Sequence, residues 1–340
     1  MITRKRGRPA LLSVAVRSAR VDENSLIPLP VVLGPSGAGK SELAIHIAQA
    51  CGGEIVSCDS LQLYRGLDIG TAKVPADQRG GVAHHLIDVL EPTELYTAGD
   101  YARAAQQVLM EIAGRRRIPV IVGGTGFYLR ALLEGLFPGP QRDEVIRARL
   151  QLREGKRPGS LHRVLSRLDP AAAARIHPND KNKTIRALEV RLLEKQSISD
   201  LFQRGRSSLG GFRPIKLGLD PPRELLYRRL DARAAAMFER GLVDEVRKLL
   251  AAGVPGSAKP FESLGYKQAL QVLEGRLTPE QALECTQVET RRYAKRQLTW
   301  FRKEQNVHWH RGFGDDARIR EEALAVVTRE LDRWSPEGGI

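Results

Sequence analysis

Residues 34–41 read Gly34-Pro35-Ser36-Gly37-Ala38-Gly39-Lys40-Ser41. They fit the pattern GxxxxGK[ST] and lie between an apolar run over 30–33 and a helix-like run that begins at Glu42. In this motif the backbone N–H groups cradle a phosphate, Lys40 adds a positive charge, and the Ser41 hydroxyl can bind magnesium. A chance glycine-rich turn is the alternative, but strand, loop and helix follow in the required order. The sequence therefore predicts a site for a phosphorylated small molecule.

Short apolar runs around this loop predict the strands of an open parallel sheet. They cover residues 30–33, 54–58, 86–90 and 118–122, and one more run follows at 214–219. Continuous apolar runs are typical of strands buried on both faces, and helical patterns separate them at Tyr96–Ala113 and Phe127–Leu133. The expected fold class is α/β. Its centre is a P-loop NTPase-like parallel sheet flanked by helices, with an inserted all-helical domain.

The formal net charge of +14 is concentrated in two parts of the sequence. Residues 1–21 carry six Lys and Arg and no acid, and residues 142–206 carry sixteen Lys and Arg against eight acids. Solvated helix faces could explain this excess, yet its confinement to one internal block favours a nucleic-acid partner. The expected organisation follows from these boundaries. It comprises a basic leader over 1–25, a catalytic core over 26–140 and 207–313, a helical insertion over 141–206 and a tail over 314–340.

The composition argues against several classes of protein. No stretch reaches the ~18 apolar residues that can span a bilayer. Arg17 shortens the apolar patch over 11–16 below the length of a secretory segment. Cys51, Cys58 and Cys285 contain no CxxC pair, which disfavours a disulfide framework and a zinc site. The sequence therefore predicts a cytoplasmic protein without a membrane partner.

Three further groups of residues are candidates for the chemistry. Asp59 follows the second predicted strand, where it is either a helix cap or a catalytic carboxylate. Thr125 follows the strand over 118–122, where it is either a helix cap or a hydroxyl facing the ligand crevice. Arg229 and Arg233 share one predicted helix face, either as a surface ion-pair face or as phosphate ligands. Asp88 is a candidate for the magnesium-holding acid of a P-loop ATPase, although the run over 118–122 ends in glycines.

Six ordered motifs together resemble the tRNA dimethylallyltransferase family, also called the tRNA isopentenyltransferases. The resemblance covers the chain from about Pro30 to Trp309, and the absence of a C-terminal zinc finger favours the bacterial type. The motifs are GPSGAGKS, CDSLQLYRGLDIGTAK (Cys58–Lys73), GGTGFYLRALLEGL (Gly123–Leu136), ARIHPND (Ala174–Asp180), RALEV (Arg186–Val190) and AKRQLTWFR (Ala294–Arg302).

The resemblance implies a magnesium-dependent transfer of a dimethylallyl group from dimethylallyl diphosphate to N6 of the adenosine 3′ of the tRNA anticodon, with release of diphosphate. It implies that Asp59 is the general base, and that Ser41 binds magnesium and diphosphate. Lys40 would neutralise the phosphate, while Thr125 and Arg233 would stabilise the leaving group. In this interpretation the P-loop holds a diphosphate leaving group, so the site does not have to position a water molecule for hydrolysis.

The same resemblance implies a set of tRNA contacts and makes the inserted all-helical domain an RNA-binding domain; we also expect a monomer. A P-loop kinase or ATPase, a non-catalytic RNA-binding protein, and an adenylate prenyltransferase acting on free AMP, ADP or ATP are the alternatives. The intact Lys40, Ser41 and Asp59 argue against the non-catalytic protein. The long basic insertion disfavours the adenylate prenyltransferase, because a mononucleotide needs no such surface. The expected tRNA-binding residues are Asp59, Ser60, Leu61, Gln62, Thr125, Arg147, Lys181, Lys183, Gly265, Tyr266 and Lys267.

Overall fold

A computed structural model describes residues 25–137, 139–203 and 208–334 of the chain. The predicted leader therefore lies outside the described residues, apart from residue 25. Within the described ranges, no helix is long and apolar enough to cross a membrane.

Six strands form one sheet in the order β3-β2-β4-β1-β5-β6, and every neighbouring pair is parallel. Four of the predicted runs, at 30–33, 54–58, 118–122 and 214–219, fall on strands, which confirms the parallel α/β fold. The run over 86–90 does not, because the strand in that region ends at His85 and Leu86 and Asp88 adopt positive φ values. The strands are β1 Ile27–Leu33, β2 Glu54–Ser57, β3 His84–His85, β4 Pro119–Gly123, β5 Phe212–Leu219 and β6 Val307–His310.

Helices cover both faces of the sheet, and the side chains of each strand alternate between the two layers. Val31 and Leu33 belong to the larger hydrophobic cluster, whereas Val32 between them belongs to the other cluster. This alternation is the period of two expected for a strand, and it explains why the runs read as continuously apolar. The core helices are α1 Lys40–Cys51, α2 Ala98–Gly114, α3 Gly126–Leu133, α9 Arg223–Glu239, α10 Leu242–Ala251, α11 Tyr266–Leu273, α12 Pro279–Phe301 and α13 Ala317–Asp332.

Five helices between β4 and β5 form a separate unit with its own hydrophobic cluster. That cluster includes Leu161, Leu165 and Leu188, which are at most 2% exposed. These helices lie within the segment over 141–206 that is predicted as a helical insertion. They are α4 Glu144–Lys156, α5 Ser160–Leu168, α6 Pro170–Arg175, α7 Lys181–Glu194 and α8 Ile198–Gln203.

The segment predicted as a C-terminal tail, 314–340, differs from that expectation. Residues Ala317–Asp332 form α13, and its buried Ile319, Ala323 and Val327 pack in the same cluster as α1 and the sheet. The spacing of these three residues by four places them on one helix face, so the apolar signal was present in the sequence. This helix is therefore part of the catalytic core.

Candidate active site

The loop between β1 and α1 has the backbone conformation that a phosphate cradle needs. Gly37 and Gly39 have φ values of 77° and 81°, in the left-handed region that favours glycine. A Cβ at Gly39 would lie 2.7 Å from the backbone nitrogen of Gly314, so this position also has no room for a side chain. The loop delivers Lys40 and Ser41 as the first two residues of α1, where the N–H groups of the helix N-terminus favour an anion.

Lys40 is held at this loop by its own backbone. Its Nζ donates a hydrogen bond to the carbonyl oxygen of Pro35 at 2.8 Å. Burial and, to a smaller extent, the charge of Arg233 lower the pKa of Lys40 to about 8, against the opposing effect of Asp59 and Glu42. The lysine is therefore a desolvated cation without a carboxylate partner among the described residues, which suits it to an incoming anion.

A segment after β6 supports the loop from behind. The N–H of Gly314 donates to the carbonyl of Ala38 at 2.8 Å. A Cβ at Gly314 would lie 2.1 Å from the carbonyl oxygen of Gly39, so only glycine allows this approach. Sequence reasoning missed this contact, because nothing near residue 314 resembles a phosphate-binding motif.

Asp59 begins a tight turn directly after β2. Its Oδ1 accepts hydrogen bonds from the N–H groups of Leu61 at 2.9 Å and Gln62 at 3.4 Å. No helix begins at Asp59 in the described residues, so the helix-cap alternative is wrong and the carboxylate caps a turn instead. These bonds leave its second oxygen available for other chemistry. Gln62 is fixed in turn, since its side chain accepts from the Ser57 hydroxyl and donates to the carbonyl of Thr71.

Thr125 connects this turn to the glycine loop after β4. Its hydroxyl oxygen accepts from the N–H of Ser60 at 3.2 Å, and it makes no capping bond to α3. Gly123, at the end of β4, must be glycine, because a Cβ there would lie 2.0 Å from the carbonyl oxygen of Cys58. The loops that carry Asp59 and Thr125 are therefore packed against each other through their backbones.

The two arginines on α9 have different environments. Arg229 forms a bidentate ion pair with Asp315 and lies over the ring of Phe313. Arg233 has no salt-bridge partner within residues 25–137, 139–203 and 208–334, and burial lowers its pKa while Asp59 and Glu42 oppose the shift. The ion-pair interpretation thus holds for Arg229, whereas Arg233, like Lys40, forms no direct ion pair with a carboxylate in the described residues.

A cavity of about 300 Å³ brings these groups together. Its lining includes polar groups from the P-loop, Asp59 and the arginines of α9. It also includes the apolar side chains of Val74, Val122 and Met237. Gly34, Pro35 and Ala38 are buried beneath the cavity, and Thr125 is not among its lining residues. The remaining lining residues are Ser36, Gly37, Gly39, Lys40, Ser41, Glu42, Asp59, Gln62, Thr71, Ala72, Gly123, Arg229, Arg233, Ala236 and Arg240.

A residue on α12 that sequence reasoning overlooked joins two of these loops. Gln297 is 7% exposed, its Oε1 accepts from the N–H of Ser36 at 2.8 Å, and its Nε2 donates to the carbonyl of Gly124 at 2.9 Å. One turn earlier, Tyr293 lies near enough to Asp59 for the carboxylate to add to burial in raising the tyrosine pKa to about 12. The inner face of α12 therefore packs against the loops that line the cavity, although none of its residues is among the lining residues.

The outer face of α12 is basic and surrounds a shallow cleft of about 460 Å³. Arg130 of α3 lies 4.6 Å from the ring of Trp300 at this cleft. Cationic and aromatic side chains together are typical of single-stranded nucleic-acid surfaces. The lining residues are Arg292, Lys295, Arg296, Thr299, Trp300 and Lys303.

Two of the predicted tRNA-binding residues in the insertion are solvent-exposed, and one is not. Lys181 and Lys183 lie in the first turn of α7 and are exposed. Arg147 is only 11% exposed and bonds to the fully buried Glu189 at 3.1 Å, together with Arg186 at 2.8 Å. A cation committed to a buried carboxylate stabilises the insertion, so Arg147 is not a free surface charge for RNA.

The predicted contacts at residues 265–267 are also divided. Gly265 and Tyr266 are buried, and the Tyr266 hydroxyl donates to Glu245 at 2.6 Å. That carboxylate also accepts from the N–H groups of Asp68 and Ile69, which fixes the loop beyond Asp59. Only Lys267 presents an exposed side chain. Tyr266 therefore supports the site from within.

The donor groups fit a magnesium ion that is bound together with a diphosphate. Among the described residues no three His, Cys, Asp or Glu side chains are grouped as metal ligands. Asp88 does not fill the role considered for it, because it pairs with Lys73 and does not line the cavity. Mg²⁺ commonly keeps several waters and takes only one or two protein ligands beside the substrate phosphates. The Ser41 hydroxyl in the P-loop is a suitable ligand of that kind.

The fold and the cavity define a parallel α/β protein with a P-loop-like phosphate cradle beside a carboxylate. The model of the IPP transferase family matches residues 62–304. A tRNA dimethylallyltransferase of Solibacter usitatus is 57% identical over 305 residues, which cover 90% of this chain and 99% of that protein. The same enzyme of Koribacter versatilis is 55% identical, over 87% of this chain and 97% of that one. The chain belongs to the IPP transferase family.

Solved structures agree with this assignment. The tRNA isopentenylpyrophosphate transferase of Bacillus halodurans superposes with a TM-score of 0.66 at 36% identity, over 90% of this chain and 97% of that one. A eukaryotic dimethylallyltransferase acting on tRNA gives a TM-score of 0.77 at 27% identity, over 91% of this chain and 80% of that one. The family resemblance drawn from the six sequence motifs is thereby confirmed.

Proposed function

We propose that this protein transfers a dimethylallyl group from dimethylallyl diphosphate to N6 of the adenosine 3′ of the anticodon in tRNA, releasing diphosphate. The names of its relatives support the reaction class. The observation that carries the proposal is the cavity, which brings the desolvated cations Lys40 and Arg233 together with the Asp59 carboxylate and several apolar side chains. An anionic leaving group, an apolar transferred group and a proton to be removed each find a matching surface there.

Asp59 is the group suited to accept the proton. The N6 amine attacks C1 of the dimethylallyl group, the C1–O bond breaks, and the diphosphate leaves with the electron pair. Because an adenine amine is a weak nucleophile, a carboxylate that takes its proton as the bond forms lowers the barrier. The hydrogen bonds from Leu61 and Gln62 fix one carboxylate oxygen, so the other is presented in a defined position.

The P-loop side stabilises the departing diphosphate. Its backbone N–H groups, Lys40 and Arg233 are in place before the reaction, so they stabilise the growing negative charge without reorganising. Thr125 does not line the cavity and instead fixes the turn that carries Asp59, because its hydroxyl oxygen accepts a hydrogen bond from the N–H of Ser60. When bound, Mg²⁺ supplies further neutralisation of the diphosphate, and Ser41 would hold it.

The target adenosine must leave its stack to enter a cavity of this size, as unpaired loop bases can. The exposed lysines Lys181, Lys183 and Lys267 and the basic face of α12 are suited to bind the surrounding RNA phosphates. We expect the protein to act as a monomer in the cytoplasm.

The direct test is incubation with dimethylallyl diphosphate, magnesium and unmodified tRNA, followed by mass analysis of the nucleosides. We expect a prenylated adenosine next to the anticodon. Parallel reactions with AMP, ADP and ATP as acceptors separate the adenylate prenyltransferase alternative. Release of γ-phosphate from ATP without any prenyl transfer would establish the kinase or ATPase alternative instead.

A further inference from the structure

We propose that Gln297 is a positioning residue that sets the distance between the P-loop and the catalytic loops that carry Asp59 and Thr125. This inference rests on the proposed function, since it concerns the alignment of the leaving group with the base. Gln297 contacts neither substrate nor metal in this scheme. Its side chain instead joins the two backbones that hold the reacting partners.

The sheet itself does not hold these loops together. β1 and β4 are neighbours, and their paired residues end at Leu33 and Gly123. Beyond this pair the two chains leave the sheet as separate loops, and Gln297 bridges them from α12 through Ser36 on one side and Gly124 on the other. The side-chain amide of Gln297 thus connects the two loops beyond the last backbone pair of β1 and β4.

The surroundings of Gln297 are built for this contact. A Cβ at Gly124 would lie 2.5 Å from the Nε2 of Gln297, so glycine at that position is what permits the approach. The residue after Gly124 is Thr125, whose hydroxyl accepts from the N–H of Ser60 beside Asp59. Three hydrogen bonds and two short backbone segments therefore connect the P-loop through Gln297 to Asp59.

One donor of the P-loop is committed to this path. The N–H of Ser36 points to Gln297, so it is not available to a phosphate oxygen. The other support of the P-loop, from Gly314 to Ala38, is independent of α12. Loss of Gln297 should therefore disturb the alignment of the two halves of the site more than the affinity of the P-loop for diphosphate. A misplacement of about 1 Å can lower a rate by about 10²-fold.

The test compares Gln297→Met, Gln297→Glu and the control Gln287→Met on the same helix. Gln287 donates to the carbonyl of Asp231 at 3.2 Å, which does not line the cavity. We expect Gln297→Met to lower kcat by roughly 10–100-fold with KM for dimethylallyl diphosphate within about threefold of wild type. The control should keep both constants within about threefold.

Gln297→Glu provides a readout that a purely structural role would not change. An ionised glutamate can accept from Ser36, but its second oxygen would face the carbonyl of Gly124, and two acceptors repel. Protonation turns that oxygen into a donor and restores both bonds. Burial beside the Gly124 carbonyl raises the pKa of the introduced carboxyl above its ordinary value of about 4.3, and the Lys40 ammonium close to Gly124 opposes that rise. The ratio of the variant rate to the wild-type rate should therefore rise as pH falls from about pH 8 to pH 5.

Each outcome bears on the proposal. A Gln297→Met enzyme with wild-type kcat would overturn it, as would a Gln297→Glu ratio that is constant with pH. If Gln297→Met unfolds at the assay temperature, the pH series on Gln297→Glu decides alone. A wild-type protein that transfers no prenyl group would contradict the proposed function itself. That result is distinct from a failure of the Gln297 proposal, because the variants are compared only with an active wild type.

Discussion

Two substitutions at Asp59 separate its role in the turn from its role in the chemistry. Asp59→Asn keeps an oxygen in the place of Oδ1, so the bonds from Leu61 and Gln62 can survive. Asp59→Ala removes that acceptor and the carboxylate together. Both variants lack a group that can take a proton from the N6 amine. We therefore expect the same catalytic defect in both variants and a stability defect in only one of them.

The magnitudes follow from these contacts. Loss of a general base lowers kcat by about 10²–10⁴-fold, which corresponds to roughly 3–5 kcal/mol in the transition state. Loss of a side-chain acceptor for orphan backbone N–H groups costs about 1 kcal/mol of stability. Asp59→Ala should thus show both losses, whereas Asp59→Asn should melt near the wild-type temperature.

Single-turnover prenyl transfer to tRNA, with product counted by nucleoside mass analysis, measures the chemical step. Binding of dimethylallyl diphosphate, measured by calorimetry, should change little in either variant, because the P-loop is intact. Turnover near the wild-type rate in Asp59→Asn would refute the reasoning. Asp59 would then be a structural residue of the turn.

Three further predictions concern the rest of the site. Burial holds the pKa of Lys40 at about 8, so at pH 8.5 diphosphate binding should take up protons, and affinity should fall above that pH. Calorimetry in buffers of different ionisation enthalpy measures this uptake, which Lys40→Met should abolish. Neutralising Lys181 and Lys183 together should weaken tRNA binding and reduce the slope of log affinity against log salt concentration by about 1.4–1.8. An unchanged slope would show that RNA binds elsewhere, first of all on the basic face of α12. Gly314→Ala should weaken diphosphate binding although it lies outside the P-loop, because its Cβ would clash with the Gly39 carbonyl; wild-type affinity would contradict this.

The Lys40 prediction also has a consequence for stability. The folded-state pKa of this lysine is depressed below its unfolded value, so the folded protein binds the proton less well. The free energy of unfolding of the ligand-free protein should therefore rise as pH increases from about 8 to 10.5, as far as this group alone is concerned. Bound diphosphate should remove that dependence, because it favours the charged lysine.

Local patterns in the sequence were enough for much of the fold and for one half of the site. The P-loop, four of the strands and the helical nature of the segment over 141–206 depend on neighbouring residues and on periods of two or 3.6. Asp59 was a candidate because it follows a strand end, and Arg233 was a candidate because it shares a helix face with another arginine. Both residues line the cavity.

The parts that escaped prediction depend on contacts between distant residues. Gln297 lies in the motif AKRQLTWFR, but nothing in that motif shows what its side chain contacts, and Gly314 lies in no quoted motif. Their partners Ser36 and Ala38 are in the P-loop, far away in sequence. Charge alone also failed to distinguish Arg147 from its neighbours, since its buried partner Glu189 lies three helices later in the chain, on α7. The spacing of the apolar residues of α13 can be seen in the sequence, but the sequence does not show that they pack against α1 and the sheet. The segment was therefore predicted to be a tail.

The contact between Gly39 and Gly314 has a consequence for the order in which the chain is made. At a synthesis rate of about 5–20 residues per second, the P-loop emerges from the ribosome roughly 15–55 s before the segment that supports it. β5, one of the two strands that pair with β1, also comes after the whole insertion in the sequence. The complete cradle can form only after nearly all of the chain has been synthesised. Prematurely terminated chains would carry the full motif yet lack its support, and they would not compete with the finished enzyme for the prenyl donor.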